Sequence, residues 1–414
     1  MPISNSYNRI FINILSFLTT LIDKQLASLS RKKQKTFLNK KYESSLFVTN
    51  KSVLNNNTSQ INKFLSGPTL VLKSVGKALN SISKNVYIED WSSRDINFKF
   101  FNNIKNLKKE NTLICGLTCP KLFLAKLLNP ECDLILILMN ANNGYRLEQI
   151  KKNINQYKIE VIKEEIPSPP FLQSLLLFLA DKVILIGNEH TLSSYLNKGW
   201  KKSLFEIANA QIDSNFFYLN LNKNRYENKL IYCFPASMHG HRKGLFYSID
   251  SWIKFFRKIK SLNRDLPTLI MTGNFPELYD NYLKKKYGES YKNIFNIENR
   301  GWVLSDDLKS IYLKSKFIIA APLEEGQVAA VLEAVAFGIT PIISKDTGIS
   351  FTNYDYVNSF DNGIHQSLYE ALLNTYLIGA YGDGDGLLKD KKRKKFIDYY
   401  SKRSVYNSFL SVFR

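Results

Sequence analysis

The stretch Phe317–Ser344, FIIAAPLEEGQVAAVLEAVAFGITPIIS, decides the fold of this chain. It opens with the apolar run Phe317–Ala321 and passes through a turn that ends at Gly326. The helix-forming run Gln327–Phe337 follows, and the β-rich run Ile339–Ile343 closes the stretch. A strand, a helix and a second strand in this order predict a βαβ unit, the building block of a parallel sheet.

Two glutamates lie at the two ends of this turn and helix. Glu333 follows Glu325 by eight residues, about two helical turns, so both side chains point to nearly the same face. Gly326 lets a ligand approach the backbone, and the free N–H groups of Gln327 and Val328 at the helix start favour a phosphate. The pattern suits one ligand with a diphosphate at the helix start, a ribose further along the helix and a sugar beside the loop. The alternative is an ordinary βαβ unit whose glutamates are solvated.

The stretch resembles the donor-site motif of retaining GT-B glycosyltransferases of the GT4 type, which carry two glutamates at this spacing and a segment similar to EAVAFGITPIIS. The resemblance implies an α/β protein with two Rossmann-like domains, whose mostly parallel sheets face a cleft. It also implies that Glu325 binds hydroxyls of the donor sugar and Glu333 binds the ribose. The family's EGFG loop reads EGQV here, so Val328 replaces the second glycine and should stiffen the loop.

A basic pair follows the predicted strand Leu230–Phe234. In PASMHGHRKGL, residues Pro235–Leu245, Arg242 and Lys243 precede Gly244 where a strand meets a helix. Arginine can contact two phosphate oxygens at once and lysine adds a compact charge, so we expect the pair to hold a diphosphate. An exposed basic helix start is the alternative.

The resemblance extends to this basic loop. Many family members carry Gly-Arg, four residues and Lys-Gly; Lys243 and Gly244 match the second pair, but Met238 stands at the arginine position. In the lipopolysaccharide-core branch an arginine directly precedes the lysine, as Arg242 does here. The resemblance implies that this pair and the helix-start N–H groups neutralise the leaving diphosphate. It assigns catalysis to Lys243 and Glu325.

Two further segments resemble family motifs. MTGNFPE, residues Met271–Glu277, has Phe275 in place of the family's second glycine, and RGWVLSDDLKSIY spans Arg300–Tyr312. The second segment implies that Trp302 and Val303 border the nucleotide base. A core tryptophan beside the sheet is the alternative.

Apolar runs alternate with helical runs in the first half of the chain, which predicts a mostly parallel α/β sheet. The predicted strands are Thr69–Lys73, Val86–Ile88, Thr112–Cys115, Asp133–Met139 and Val183–Gly187. The predicted helices are Lys121–Leu128, Leu147–Gln156 and the part of Phe171–Gly187 before its strand. Gly76 would then lie in a loop at the carboxyl end of the first strand, where such sheets bind ligands.

The chain of 414 residues exceeds one typical core and predicts two domains. Ile207–Phe217 resembles the family's interdomain segment. We expect an N-terminal helical extension at 1–44, an acceptor domain at 45–206 and a nucleotide-sugar donor domain at 207–385. A C-terminal helix at 386–414, running from Lys389 to Arg414, would return to the first domain.

The N-terminal stretch Ile10–Leu29 has apolar residues at helical spacing, including Phe11, Leu15 and Leu18, and the basic run RKKQK follows it. One interpretation is an amphipathic helix on a membrane surface with a basic flank. The other is a helix that packs on the first domain. The longest weakly polar run in this stretch is too short to span a bilayer, so we expect no membrane-spanning helix.

The charge and cysteine content limit the partners. A net charge of +21 suits an anionic membrane or nucleic acid, but lysine is frequent throughout and no nucleic-acid motif is recognisable, so we expect no nucleic-acid partner. The four cysteines lack a zinc-site spacing and indicate a reduced, cytoplasmic chain. Gly382–Gly386, GDGDG, lacks the later ligands of a calcium loop and indicates a linker. We expect no metal and no cofactor.

The sequence therefore predicts a hexosyltransferase-type glycosyltransferase. It would move a sugar from a nucleotide-sugar donor to a saccharide or lipid-linked acceptor with retention, in cell-surface polysaccharide or glycolipid synthesis. The enzyme would be cytoplasmic, with a peripheral place at the inner membrane face as one interpretation. A non-catalytic GT-B protein that binds a glycan or nucleotide is the alternative, and an epimerase on the same fold is a third.

Overall fold

The computed structural model describes residues 6–30, 41–49, 67–91, 96, 98–105, 107, 111–167, 171–212, 230–236, 239–345, 347–349, 358–361, 365–381 and 390–413. Several sequence predictions fall outside these residues. They concern the basic run at 31–35, Met238 and the glycine-rich segment at 382–386.

Two six-stranded sheets with parallel neighbours are present among the described residues. The first has the order β3-β2-β4-β5-β7-β8 and the second β11-β10-β9-β12-β13-β14. A short antiparallel pair joins β1 and β6. This architecture confirms the predicted α/β class with two parallel sheets.

The strands are β1 Ser6–Tyr7, β2 Tyr42–Thr49, β3 Ser83–Asp90, β4 Thr112–Leu117, β5 Asp133–Leu138, β6 Val161–Ile162, β7 Lys182–Ile186, β8 Phe205–Ala208, β9 Ile231–Pro235, β10 Thr268–Thr272, β11 Ile297–Asn299, β12 Phe317–Ala320, β13 Thr340–Ser344 and β14 Asn358–Phe360. The helices are α1 Arg9–Leu29, α2 Gly67–Ile82, α3 Phe98–Lys105, α4 Pro120–Leu128, α5 Asn143–Tyr157, α6 Leu172–Leu179, α7 Glu189–Leu196, α8 Leu245–Ser261, α9 Glu277–Tyr287, α10 Tyr291–Ile294, α11 Ser305–Lys314, α12 Ala329–Ala336, α13 His365–Tyr381, α14 Asp390–Tyr399 and α15 Lys402–Phe413.

The chain divides into two compact units, each with one of the large sheets. The first comprises Met1–Asn13, Arg146–Ile166 and Ile212–Tyr399, and the second comprises Ile14–Tyr145, Pro167–Gln211 and Tyr400–Arg414. The segment Arg146–Ile166 therefore belongs to the unit of the later sheet, although its neighbours in sequence belong to the other. Its Tyr157 and Ile159 are buried in the hydrophobic core of that later unit.

Most predicted strands and helices of the two sheets are confirmed within one or two residues, including the βαβ unit β12–α12–β13. The predicted strand Thr69–Lys73 is wrong, because these residues lie inside helix α2. The apolar run continues with Val75, Ala78 and Leu79, which are buried together with it at helical spacing. Gly76 accordingly lies within the helix and not in a ligand-side loop.

Strand β2 lies inside the first sheet, yet its sequence, YESSLFVT, gives little strand signal. Its serines are buried and are satisfied by side chains of neighbouring strands, with Ser44 Oγ 2.9 Å from Thr112 Oγ1 and Ser45 Oγ hydrogen-bonded to Ser83 Oγ. Two polar side chains in a buried strand hide its apolar pattern from a sequence reading, because the partners that satisfy them are distant in sequence.

Helix α1 forms as predicted, but its packing face does not follow the predicted apolar stripe. Phe11, Leu18 and Leu29 are exposed, whereas Ser16 and Asp23 are buried. With 21 residues the helix is also long and apolar enough to cross a membrane by length and composition, contrary to the expectation from its sequence. About a quarter of its most apolar window, 28%, is buried within the protein.

The C-terminal helix predicted as one element consists of two, α14 and α15. The break falls at Tyr400, which is fully buried, and at Ser401. The hydroxyl of Ser401 accepts a hydrogen bond from the backbone N–H of Ser404 at 3.3 Å, so it caps the second helix.

We expect Gly244→Ala to destabilise the protein more than Gly288→Ala. Both glycines have a positive φ, 69° and 94°, which costs an alanine about 1–2 kcal/mol. A Cβ at Gly244 would also lie 2.0 Å from the Ala321 carbonyl oxygen, whereas a Cβ at Gly288 meets nothing within 4 Å. Urea denaturation of both variants should show the larger loss for Gly244→Ala. Equal losses would contradict the close approach of the two loops.

Candidate functional site

The second sheet reverses its direction of growth between β9 and β12. The chain runs from β9 outward to β10 and β11, and then returns to place β12 on the other side of β9. The loops after β9 and β12 therefore leave adjacent strand ends in opposite directions. Such a switch point opens a crevice at the carboxyl ends of the strands, where ligands bind in parallel sheets.

The loop after β9 folds into a tight turn that carries the predicted basic pair. The backbone N–H groups of Lys243 and Leu245 donate to the carbonyls of His239 and Gly240, each at 2.8 Å. The N–H of Leu323, in the loop after β12, donates to the carbonyl of Arg242 at 2.8 Å. This bond ties together the two loops of the switch point.

Three residues that the sequence predicts for the site meet at this point. Arg242 Nη1 lies 3.1 Å from Glu325 Oε1, and Lys243 Nζ lies 2.5 Å from Glu325 Oε2. The three side chains are at most 17% exposed. Each cation therefore holds one oxygen of the same carboxylate in a largely water-free environment, which excludes the alternative of an exposed basic helix start.

The charges of this cluster shift one another. Burial alone would raise the pKa of Glu325, but Arg242 and Lys243 outweigh it and lower the pKa to about 2. Burial lowers the pKa of Lys243, and the neighbouring Glu325 opposes that shift. The carboxylate thus stays ionised at neutral pH.

Glu165 anchors the basic loop by its backbone, and no sequence pattern identified this residue. Its carboxylate accepts hydrogen bonds from the backbone N–H of His241 at 3.2 Å, the N–H of Arg242 at 2.8 Å and the hydroxyl of Tyr279 at 2.5 Å. Glu165 is fully buried. It comes from the segment Arg146–Ile166, which precedes β9 by more than sixty residues, so no local pattern could connect it with the loop.

A second buried ion pair adjoins the first and was also missed. Arg146 Nε lies 3.2 Å from Glu324 Oε1, with the two side chains 11% and 1% exposed. Arg146 also donates from Nη2 to the carbonyl of Glu165 at 2.9 Å. The only sequence signal was Glu324, the first glutamate of the pair Glu324–Glu325, which the donor-site motif does not use.

The two histidines of the loop differ in surroundings. His241 is fully buried, with its ring nitrogens 2.7 Å from Asn153 Oδ1 and 3.0 Å from the Glu160 carbonyl oxygen. It is therefore a buried residue that packs the loop against its unit. Burial, together with the nearby Arg242, lowers the pKa of His239 to about 3, so this imidazole is neutral at physiological pH.

The predicted helix-start residues surround the beginning of α12. Gly326 and Val328 are buried, Gln327 is half-buried, and the helix begins at Ala329, two residues later than predicted. Val328 is the residue before the helix, and no side chain caps the helix start. The first N–H groups of this helix therefore remain without a side-chain cap at the end that favours an anion.

Glu333 lies on α12, eight residues after Glu325, which precedes the helix, and it is 8% exposed. After burial, its charge is the main reason for the raised pKa of Tyr312, whose hydroxyl donates to the Ala330 carbonyl at 3.1 Å. The glutamate predicted for the ribose is thus an ionisable group on a buried helix, with an aromatic neighbour.

Trp302 is 69% exposed, so the alternative of a core tryptophan is wrong. Val303 beside it is half-buried. The backbone N–H of Trp302 donates to Asn274 Oδ1 at 3.1 Å, which joins the loops after β10 and β11. The indole thus presents an apolar surface on the side of the sheet where its strands end.

Among the residues that the structure describes, no group of three or more His, Cys, Asp or Glu side chains could hold a metal ion. The four cysteines are buried thiols. At the switch point, Arg146 pairs with Glu324, and Arg242 and Lys243 pair with Glu325. A third carboxylate, that of Glu165, accepts hydrogen bonds from the loop backbone.

The sequence matches no protein-family model and no curated protein. The structure is similar to solved glycosyltransferase structures at low sequence identity. HepE from Anabaena in complex with UDP-glucose has a TM-score of 0.61 and 13% identity, covering 89% of this chain and 98% of that chain. A glycosyltransferase from Rickettsia africae has a TM-score of 0.58 and 16% identity, covering 90% and 98%.

Sucrose-phosphate synthase from Thermosynechococcus elongatus is similar to the same extent, with a TM-score of 0.60 and 11% identity over 90% of this chain and 98% of that chain. These likenesses extend over both units of the chain. The fold is therefore GT-B, with two Rossmann-like domains, as predicted.

We expect Glu165→Gln to loosen the basic loop. Glutamine can accept only part of the three hydrogen bonds that the carboxylate accepts, and a bond to a charged group contributes about 1.5–3 kcal/mol. Urea denaturation should show a loss of this size. The exposed neighbour Glu164 provides the matched control Glu164→Gln, which should stay within about 0.5 kcal/mol of the wild type. A Glu165→Gln variant as stable as this control would contradict the anchor.

The stability that Glu325 contributes should depend on pH in a defined window. Its pKa is lowered from 4.5 to about 2, so the contribution is complete above pH 4.5 and is lost as the pH falls towards 2. The free-energy difference between wild type and Glu325→Gln should therefore be constant above pH 5 and shrink below pH 4.5, by on the order of 3 kcal/mol in total. Glu289→Gln, at a side chain 83% exposed, serves as control. Parallel pH curves for wild type and Glu325→Gln would exclude the charged cluster.

Proposed function

We propose that this protein is a glycosyltransferase that uses a nucleotide-sugar donor. One observation carries the proposal: Arg242, Lys243 and Glu325 meet at the switch point between β9 and β12. Parallel sheets bind ligands at that position, and the GT-B fold supports a donor site there. The fold alone does not fix a function, so the argument depends on the chemistry of these residues.

Breaking the bond between the anomeric carbon and the diphosphate leaves negative charge on the diphosphate oxygen. Arg242 and Lys243 are held in place by Glu165 and by the bond to Leu323, so they need little reorganisation to meet this charge. Preorganised cations in a water-poor site stabilise a developing charge more than solvated ones do. The uncapped start of α12 adds N–H groups of the same polarity.

Glu325 has two roles under this proposal. Without donor it forms ion pairs with both cations. With donor bound, the phosphate oxygens replace it on the cations and its carboxylate is free to accept hydrogen bonds from sugar hydroxyls. The same side chain therefore couples diphosphate binding to sugar recognition. Glu333 would bind the ribose, and Trp302 with Val303 would border the base.

In this proposal the reaction retains the anomeric configuration, the transferred sugar is a hexose, and the acceptor is a saccharide or a lipid-linked molecule. The enzyme would act in the cytoplasm, in the synthesis of a cell-surface polysaccharide or glycolipid. The structures of HepE contain UDP and UDP-glucose, so UDP-glucose is the first donor to test. The proposed chemistry uses no metal or cofactor, so activity should be unchanged after treatment with EDTA.

A thermal-shift panel of nucleotide-sugars tests donor binding, because a ligand that binds only the folded protein raises the melting temperature. A donor that raises the Tm of wild type but not of a Lys243→Ala/Glu325→Gln variant supports the site. The same panel with free sugars is the control. No shift with any UDP-, GDP-, ADP- or dTDP-sugar would overturn the proposal.

Donor hydrolysis separates a transferase from a binding protein of the same fold. Transferases slowly hydrolyse their donor without acceptor, whereas a binding protein gives a Tm shift and no hydrolysis. The ion pairs between Glu325 and both cations also suit a binding protein, since they hold the cluster closed without a ligand. A shift without hydrolysis or transfer would favour that alternative.

We expect Lys243→Ala and Glu333→Ala to affect different kinetic constants. The diphosphate charge grows as the sugar leaves, so loss of Lys243 should lower kcat about ten- to a hundredfold with a smaller change in donor KM. The ribose is unchanged in the reaction, so loss of Glu333 should mainly raise donor KM. Lys285→Ala, at an exposed lysine of the same unit, is the control. Equal kcat losses with unchanged donor KM in both variants would show that Glu333 does not bind the ribose.

A further inference from the structure

Helix α1 exposes its most apolar side chains. Within the second unit, Ile14, Phe17 and Leu21 are 56%, 67% and 44% exposed, and Leu18 beside them is 46% exposed. These positions are three and four residues apart, so they form one continuous stripe along the helix. Ile10, at 69%, extends the stripe by one turn towards the N-terminus.

The opposite face of α1, which buries Ser16, Thr19 and Asp23 beside Ala27, attaches the helix to its unit. Asp23 is fully buried and accepts hydrogen bonds from Ser174 Oγ at 2.7 Å and Trp200 Nε1 at 3.2 Å. Lys198 Nζ donates to Thr20 Oγ1 at 3.2 Å. Burial raises the pKa of Asp23, and the hydrogen bonds from Ser174 and Trp200 oppose the rise. The polar face is therefore fixed by specific partners.

This arrangement is the reverse of an ordinary surface helix, which buries its apolar stripe and exposes its charges. Large apolar side chains scattered singly on a surface need no explanation, but a continuous row indicates a surface that binds a partner. The hydrogen bonds of Asp23 show that the orientation is determined by the fold, since rotating the helix would take the carboxylate away from the buried donors of Ser174 and Trp200.

The charges around the stripe are complementary to an anionic surface. Arg9 at one end and Lys24 near the other are exposed, and the only acidic residue of the helix, Asp23, is buried on the far face. In the sequence the helix is followed directly by RKKQK, which adds four positive charges. An apolar stripe between cations is the pattern of helices that lie in the interface of an anionic bilayer.

We propose that α1 docks the protein on an anionic lipid surface, lying in the plane of the interface with Ile14, Phe17, Leu18 and Leu21 inserted. The hydrogen-bonded polar face keeps the helix on its unit and prevents it from being surrounded by lipid, although its length would suffice for a span. A second copy of the chain is a poorer occupant, because it would place two basic flanks and two chains of net charge +21 together. The proposal does not depend on the proposed function.

Vesicle co-sedimentation of the full chain tests this docking. The probes are phosphatidylglycerol vesicles and phosphatidylcholine vesicles at low salt. Wild type should bind the phosphatidylglycerol vesicles, bind the phosphatidylcholine vesicles roughly tenfold or more weakly, and lose affinity as salt increases. The double variant Phe17→Glu/Leu21→Glu should reduce binding to phosphatidylglycerol vesicles by roughly tenfold or more, because both acids face the lipid.

The matched control is Leu262→Glu/Ile294→Glu, which places two acids at apolar side chains 50% and 52% exposed on the other unit. It should bind vesicles within about twofold of the wild type, since it adds the same charge away from the helix. Equal losses in the two double variants would overturn the proposal, because net charge alone would explain them. Absence of wild-type binding to phosphatidylglycerol would overturn it as well, as would a dimer by light scattering that Phe17→Glu/Leu21→Glu converts to monomer without any vesicle binding.

Discussion

The ion pairs of Glu325 with Arg242 and Lys243 are the interaction on which the site depends. Two cations at most 17% exposed need a nearby negative charge, because an unpaired buried charge is costly. Glu325 supplies this charge, because β9 and β12 are neighbours and the loops that follow them lie close together. The backbone bond from Leu323 to Arg242 and the glycine at 244, where a side chain would collide with Ala321, keep the loops at this separation.

The cluster around this triad is electrically balanced. Arg146 with Glu324, and Glu165 with the loop backbone, extend it into a network of three cations and three carboxylates. A diphosphate entering such a network adds negative charge, so the cations must exchange a carboxylate for phosphate oxygens. Glu325 is the carboxylate best placed for that exchange, since it forms ion pairs with both Arg242 and Lys243.

The orientation of helix α1 likewise depends on a buried carboxylate that needs partners, that of Asp23. Asp23 is buried because Ser174 and Trp200 donate to it, and this fixes which side of the helix faces the protein. Once the polar face is inside, the apolar stripe that includes Phe17 and Leu21 must lie outside. Hydrophobic periodicity alone predicts the helix correctly and its buried face incorrectly, because it assumes that apolar side chains decide the packing.

The sequence by itself determined the α/β class, the βαβ unit around Glu325 and the basic and acidic loops that follow two of the strands. These depend on local periodicity, turn residues and short spacings, which are written in contiguous residues. Only the tertiary structure decided that Glu165 and Arg146 support the loop, that β2 is an inner strand and that α1 turns its apolar stripe outward. Each of these depends on a hydrogen bond or ion pair between residues far apart in the chain, so a local pattern carries no trace of it.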